Sequence, residues 1–265
     1  MNFNERIEEM KSFQNYVLSF LNNDEQSEES YQNICELLAK HNFVTDTKEL
    51  KPFVSILRNI FSNHHCSPNF YEKIFRIFNI FLENLKQIYS NFSIFKLFNK
   101  DKRILLFLIE KGVLTIDNKI SDIMTKGKYK NDYFYPEYFN LSNSKNDDGF
   151  NEKRQLGEND DYICALIRND SVEDFIVFVN QNNIDIKNFT IKSSIFETNS
   201  FLLKNKNIKL IEYTSFYGSI QIFKYLVTNG AEFTKSLWKL AIHSNNAELI
   251  QILEEKKNFR RNVIL

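Results

Sequence analysis

The chain reads as all-α: a helical-repeat solenoid of short, degenerate helix pairs over residues 161–265. An N-terminal helical region over 1–141 precedes it, joined by a polar linker or mobile loop over 142–160. Three observations predict this. Apolar residues recur at three- and four-residue steps through most of the 265 positions, the pattern of helices buried on one side. Only 6 Gly and 3 Pro occur, too few turn formers for a many-stranded sandwich or barrel. And the stretch LIEYTSFYGSIQIFKYLVTNGAEF at 210–233 returns in outline both upstream and downstream, the mark of a repeat.

Taken in order, Phe3, Ile7, Met10, Phe13, Val17 and Phe20 mark one amphipathic helix to about Leu21. The polar run 22–30 is a loop, with Ser27 or Ser30 as the next cap. Tyr31, Ile34, Leu37 and Leu38 mark a second helix ending near His41. A third covers 47–61; Pro52 is tolerated only near a helix start, so it is expected to begin around Leu50. Ser67-Pro68-Asn69 opens a fourth, where Phe70, Ile74, Ile77, Phe78, Phe81, Leu82, Leu85 and Ile88 form a wide stripe. Shorter helices follow at 92–98, at 101–111 up to Gly112, and at 115–124. LLFLIEKG at 105–112 resembles the second helix and glycine stop of another degenerate repeat. The aromatic run at 126–140 breaks the pattern: Pro136 rules out a helix through it, and its rings can anchor a loop on the helices.

In 210–233, Leu210, Ile211, Tyr213 and Phe216 belong to a first helix that stops at Gly218. Ile220, Ile222, Phe223, Leu226 and Val227 form a second, and Gly230 follows where a left-handed residue closes a helix. Such a unit is too small to bury its own apolar face. Setting Asn245 under Gly218 aligns SLWKLAIHSNNAELIQILEE at 236–255, and setting Asp170 there aligns DYICALIRNDSVEDFIVFV at 161–179. The turn positions lie 48 and 27 residues apart. The longer spacing admits an insertion over 181–207, with one irregular helix within 184–203; the shorter leaves only a plain turn.

These residues resemble the ankyrin repeat, two antiparallel helices and a β-turn with a T-P-L-H-x-A start. Ser236 stands for the Thr, Trp238 and Leu240 for the two Leu, Ala241 for the Ala, and NGAE at 229–232 looks like the terminal N-G-A-D. No copy has the Pro or the His; Lys239, Glu212 and Cys164 stand at the His position, so that histidine's loop-to-loop hydrogen bonds are absent. Over 158–171, 194–202 and 211–226 the chain is similar to a divergent family of protist ankyrin-repeat proteins. The resemblance implies a non-catalytic module that binds another protein on the concave face of its helix pairs. Its contact residues would be turn and first-helix positions: Phe216, Tyr217, Ser219, His243, Ser244 and Asn246. A monomer without cofactor is expected.

Lys plus Arg and Asp plus Glu balance at 34 each, which leaves no electrostatic footprint for nucleic acid. The three cysteines, Cys35, Cys66 and Cys164, are widely spaced and odd in number, so reduced thiols inside the cell, in cytoplasm or nucleus, are expected. The longest apolar run, 104–109, is far too short to span a bilayer, and the polar N-terminus carries no readable signal peptide. His64-His65-Cys66 is the one cluster of metal-ligand types, and nothing completes a four-ligand set. Cys164 sits near Arg168 but among Ile163, Leu166 and Ile167, the setting of an inert buried thiol. Asp160-Asp161 and Glu173-Asp174 read as helix-start charges, and Lys256, Lys257, Arg260 and Arg261 as a solvated helix end. Two alternatives stand beside the binding module: a helical enzyme or ligand-binding domain with a pocket in the Phe-rich N-terminal half, and a truncated, non-functional family copy.

Overall fold

The computed structural model describes residues 3–25, 27–41, 47–63, 66–67, 69–126, 132–139, 149–205 and 207–263. Among them the protein is all-helical, with fifteen α-helices, two single 3-10 turns and one isolated antiparallel bridge, Thr190 to Lys209. The helices fall into two compact units: Met1–Gly157 with Thr198–Ser200, and Glu158–Glu197 with Phe201–Leu265.

The first unit holds α1 (Phe3–Asn22), α2 (Ser27–Ala39), α3 (Thr47–Asn63), α4 (Phe70–Ile88), α5 (Asn91–Phe98), α6 (Lys102–Glu110), α7 (Asn118–Lys126) and α8 (Phe150–Leu156). Its core is a lattice of phenylalanine rings. Phe13 meets Phe53 edge-on at 4.9 Å, Phe75 stacks on Phe107 at 4.2 Å, and Phe78 lies between Phe61 and Phe98. Offset and edge-on pairs of this kind add to the area they bury, because ring faces are negative and ring edges positive. Lys73 reaches into this core: it buries its stem and donates to Leu21 O at 3.1 Å, near the end of α1, and to Asp24 at 2.7 Å.

Three boundaries differ from expectation. Helix α3 starts at Thr47, so Pro52 is its sixth residue; the proline removes one hydrogen bond, to the carbonyl of Lys48, and the apolar face from Leu50 onward holds the turn in place. Helix α4 bends at Phe81, whose φ of −131° is not helical. And part of the stretch expected as a linker is α8, bracketed by left-handed Gly149 and Gly157, with Phe150 buried; residues 142–148 lie outside the described ones. In the aromatic run, Tyr135 is fully buried and its hydroxyl donates to Lys102 O at 2.9 Å.

The second unit contains three helix pairs: α9 (Tyr162–Arg168) with α10 (Val172–Gln181), α12 (Leu210–Tyr217) with α13 (Ile220–Thr228), and α14 (Leu237–Ser244) with α15 (Ala247–Val263). The short α11 (Ser200–Lys204) lies in the insertion between the first two. Helix α12 packs against both α9 and α14, and α10 packs against α13. This central position explains why six of the eight residues of α12 are buried. Asp161 opens α9 by accepting the Ile163 N–H, and Glu173 and Asp174 lie in the first turn of α10.

Candidate functional site

The site is built on the turns between paired helices. Asp170, Gly218 and Asn245, the three residues the sequence alignment superposes, all have left-handed backbone, with φ of 49°, 73° and 52°. A left-handed residue ends the first helix and lets the next begin two positions later. Only the middle one is glycine, and space explains it. A Cβ on Gly218 would sit 3.0 Å from Ser244 Cβ and 3.2 Å from Asn246 Cβ, side chains of the following pair.

The residues after the second and third of these turns reach back to the preceding pair. Ser219 Oγ donates to Ile167 O at 2.6 Å, and Asn246 Nδ2 donates to Gly218 O at 2.9 Å. Asp170 reaches forward: its carboxylate accepts the Gln221 and Ile222 N–H groups at 2.9 and 3.0 Å, at the start of α13. Those amides have no partner within their own helix, so the acceptor arrives from a neighbouring pair. Asn246 also caps its own helix, accepting from Leu249 N–H at 3.1 Å.

The six expected contact residues gather at these turns, but not all of them face outward. Tyr217, His243, Ser244 and Asn246 are half-buried. Phe216 and Ser219 are only 1% and 3% exposed, so they present little surface of their own. Phe216 is enclosed by Phe201, Tyr217 and His243, with ring centroids 6.3, 5.1 and 5.4 Å away, and Ser219 is held by its bond to Ile167. On α14, Ile242 is 67% exposed.

Beneath the turns lies a polar cluster that sequence reasoning missed. Arg168, the last residue of α9, places Nε 2.6 Å from Glu158 Oε2 and donates from Nη1 to Asn159 O at 2.8 Å and to the Tyr213 hydroxyl at 3.2 Å. Burial pushes the Glu158 carboxyl up against the pull of Arg168. Tyr213 and Tyr217 lie 4.8 Å apart, and burial raises both hydroxyls well above the ordinary phenol value. Burial also pushes the Cys164 thiol up to about 12, with the charges of Asp161 and Glu197 adding to the rise. A thiol in that state is protonated at neutral pH, the condition of a buried packing group. An arginine closing an otherwise apolar helix, with a tyrosine inside the next first helix, was the available signal.

Among the described residues no group of three or more His, Cys, Asp or Glu is placed to hold a metal. His64 and His65 lie outside the described residues, as do the side chains of Lys256, Lys257, Arg260 and Arg261. Among the described residues no helix is long and apolar enough to cross a membrane. In the first unit, the cavity beside Asp101 and Phe98 has about 20 Å³, room for one water. No protein-family model, curated protein or solved structure matches the chain.

Proposed function

We propose that the second unit is a short stack of ankyrin-like helix pairs and that it acts as a non-catalytic module binding another protein. The supporting observation is a set of half-buried residues at the turns of two adjoining pairs: Tyr217 at the end of α12, His243 and Ser244 at the end of α14, and Asn246 just before α15. The patch is aromatic and polar on a rigid base, since Phe216 supports Tyr217 and His243 from below and Asn246 is bonded to Gly218. Recognition surfaces favour this mixture, because tyrosine and histidine supply large contact area with few rotatable bonds. Ile242, on the same helix as His243, adds an exposed apolar side chain.

The test is capture by the full chain compared with His243→Glu and Ile242→Glu, with Glu83→Lys in the first unit as control. Ile242 is exposed, whereas His243 is half-buried against Phe201 and Phe216, so circular dichroism checks that both variants fold. A partner retained by the parent and the control but lost from both test variants supports the reading. A partner retained equally by all four places recognition elsewhere.

A further inference from the structure

We infer that the outer face of α14 and α15 docks a second copy of this chain. The earlier helix pairs show how that face differs from theirs. Alignment on the left-handed turns sets Ile242 in register with Ile167 and Ser215, and Ile250 with Phe175 and Phe223. In the first two pairs these positions are covered. All four residues there are 0% exposed, and Phe175 meets Tyr225 of the next pair edge-on at 6.1 Å. In the last pair Ile242 is 67% exposed and Ile250 is half-buried. The polar positions agree. Glu212, in register with Lys239, accepts from Thr234 Oγ1 at 2.9 Å, in the approach to α14, whereas Lys239 is exposed. An apolar residue left open where the fold elsewhere covers it marks a face on which another helix pair can stack.

Charge complementarity identifies the occupant. The face carries Lys239 and Ile242 on α14, three residues apart, and Ile250 and Glu254 on α15, four apart, spacings that keep each pair of residues on one side of its helix. An exposed cation thus stands on one helix and an exposed carboxylate on the other. Their depths from the turn also match. Ile242 and Ile250 are the third and fourth residues from it within their helices, and Lys239 and Glu254 the sixth and eighth. A two-fold axis running along the helices, between α14 and α15, lays each α14 on the partner copy's α15. It sets Ile242 against the partner's Ile250 and Lys239 against the partner's Glu254 at once, with offsets of about 1.5–3 Å along the axis. Such an interface is self-complementary and closes at two chains. Where the family resemblance implies a monomer, this open face argues for a pair. The inference rests on the stacking of the helix pairs and not on the protein-binding reading, although Ile242 serves in both.

The test is sedimentation velocity of the full chain over about 5–500 µM, since a face one helix pair wide belongs to the small, weak class of interfaces, with a dissociation constant of about 10–100 µM. The parent should shift from monomer to dimer across that range. Ile242→Glu should weaken association about tenfold or more, because it places a charge in the contact. Lys239→Glu and Glu254→Lys should each weaken it about fivefold by setting like charges opposite one another, and the double variant should recover the parent's association to within about twofold. All three positions are exposed, and circular dichroism checks that the variants fold. A monomer at every concentration, association undiminished in Ile242→Glu, or a double variant no stronger than the single ones would overturn the inference. A monomeric chain that still captures another protein would overturn the dimer and leave the protein-binding reading standing.

Discussion

Asp170 caps a helix to which it does not belong: its carboxylate accepts the N–H of Ile222 at 3.0 Å, fifty-two positions along the chain. The exchange is mutual, since Ser219, at the start of that same helix, donates to Ile167 O beside Asp170. Each helix pair thus completes the hydrogen bonding of its neighbour. Asp170→Ala should destabilise the second unit by about 1–2 kcal/mol, the cost of a lost cap, and Ser219→Ala by about 1 kcal/mol. Combined, the two should depart from additivity by about 0.5–1.5 kcal/mol. Urea denaturation followed by Trp238, the single tryptophan and a residue of α14, measures both; strict additivity would mean that the two bonds act independently.

Gly218 and Gly112 share a left-handed backbone but not a neighbourhood. A Cβ at Gly112 meets nothing within 4 Å, whereas at Gly218 it meets Ser244 and Asn246. Gly112→Ala should cost about 1 kcal/mol, backbone strain alone, and Gly218→Ala about 1–3 kcal/mol more through overpacking. Equal losses, read by far-ultraviolet circular dichroism in urea, would show that the following pair can shift aside freely.

Burial raises the Asp101 carboxyl to about 6 while it accepts the Ile104 N–H at the start of α6. A carboxyl whose folded value exceeds its unfolded value binds more protons folded than unfolded. Its contribution to stability is therefore fully present below about pH 4 and is lost as pH rises through about 6, a change on the order of 2–3 kcal/mol. Asp101→Asn keeps an acceptor for Ile104 and removes the charge. The variant should match the parent near pH 4 and exceed its stability near pH 7.5; a gap that does not change between those pH values would contradict the burial argument.

Cys164 is buried, and Cys35 and Cys66 are half-buried. In the folded protein iodoacetamide should modify Cys164 about a hundredfold or more slowly than in urea, because so little thiolate is present. Peptide mapping of the labelled sites reads this, and rapid native labelling of Cys164 would show that the cluster opens.

Much of the helical order was legible because the apolar period is strong: the stripe of α4 and the alignment of Asp170, Gly218 and Asn245 were readable from residues alone. Which face a neighbour covers was not. Phe216 and Ser219 look outward in an isolated pair, and neighbours on both sides enclose them: Phe201 and His243 around Phe216, Ile167 against Ser219. Asp170 looked like a turn residue; that its carboxylate serves another helix depends on tertiary distance, which periodicity does not carry. Arg168 was noticed only for its effect on Cys164, since its partners Glu158 and Tyr213 are ten and forty-five residues away. The start of α3 was misplaced because Pro52 was weighed as a helix boundary, while the buried face beginning at Leu50 sustains the helix through it.

Native-state hydrogen exchange on the full chain carrying Asp170→Ala tests most directly whether the helix pairs support one another. Faster exchange should extend from 162–181 into α13, with the amides of α4 in the first unit unchanged. Loss of protection confined to 162–181 would mean that each pair stands alone.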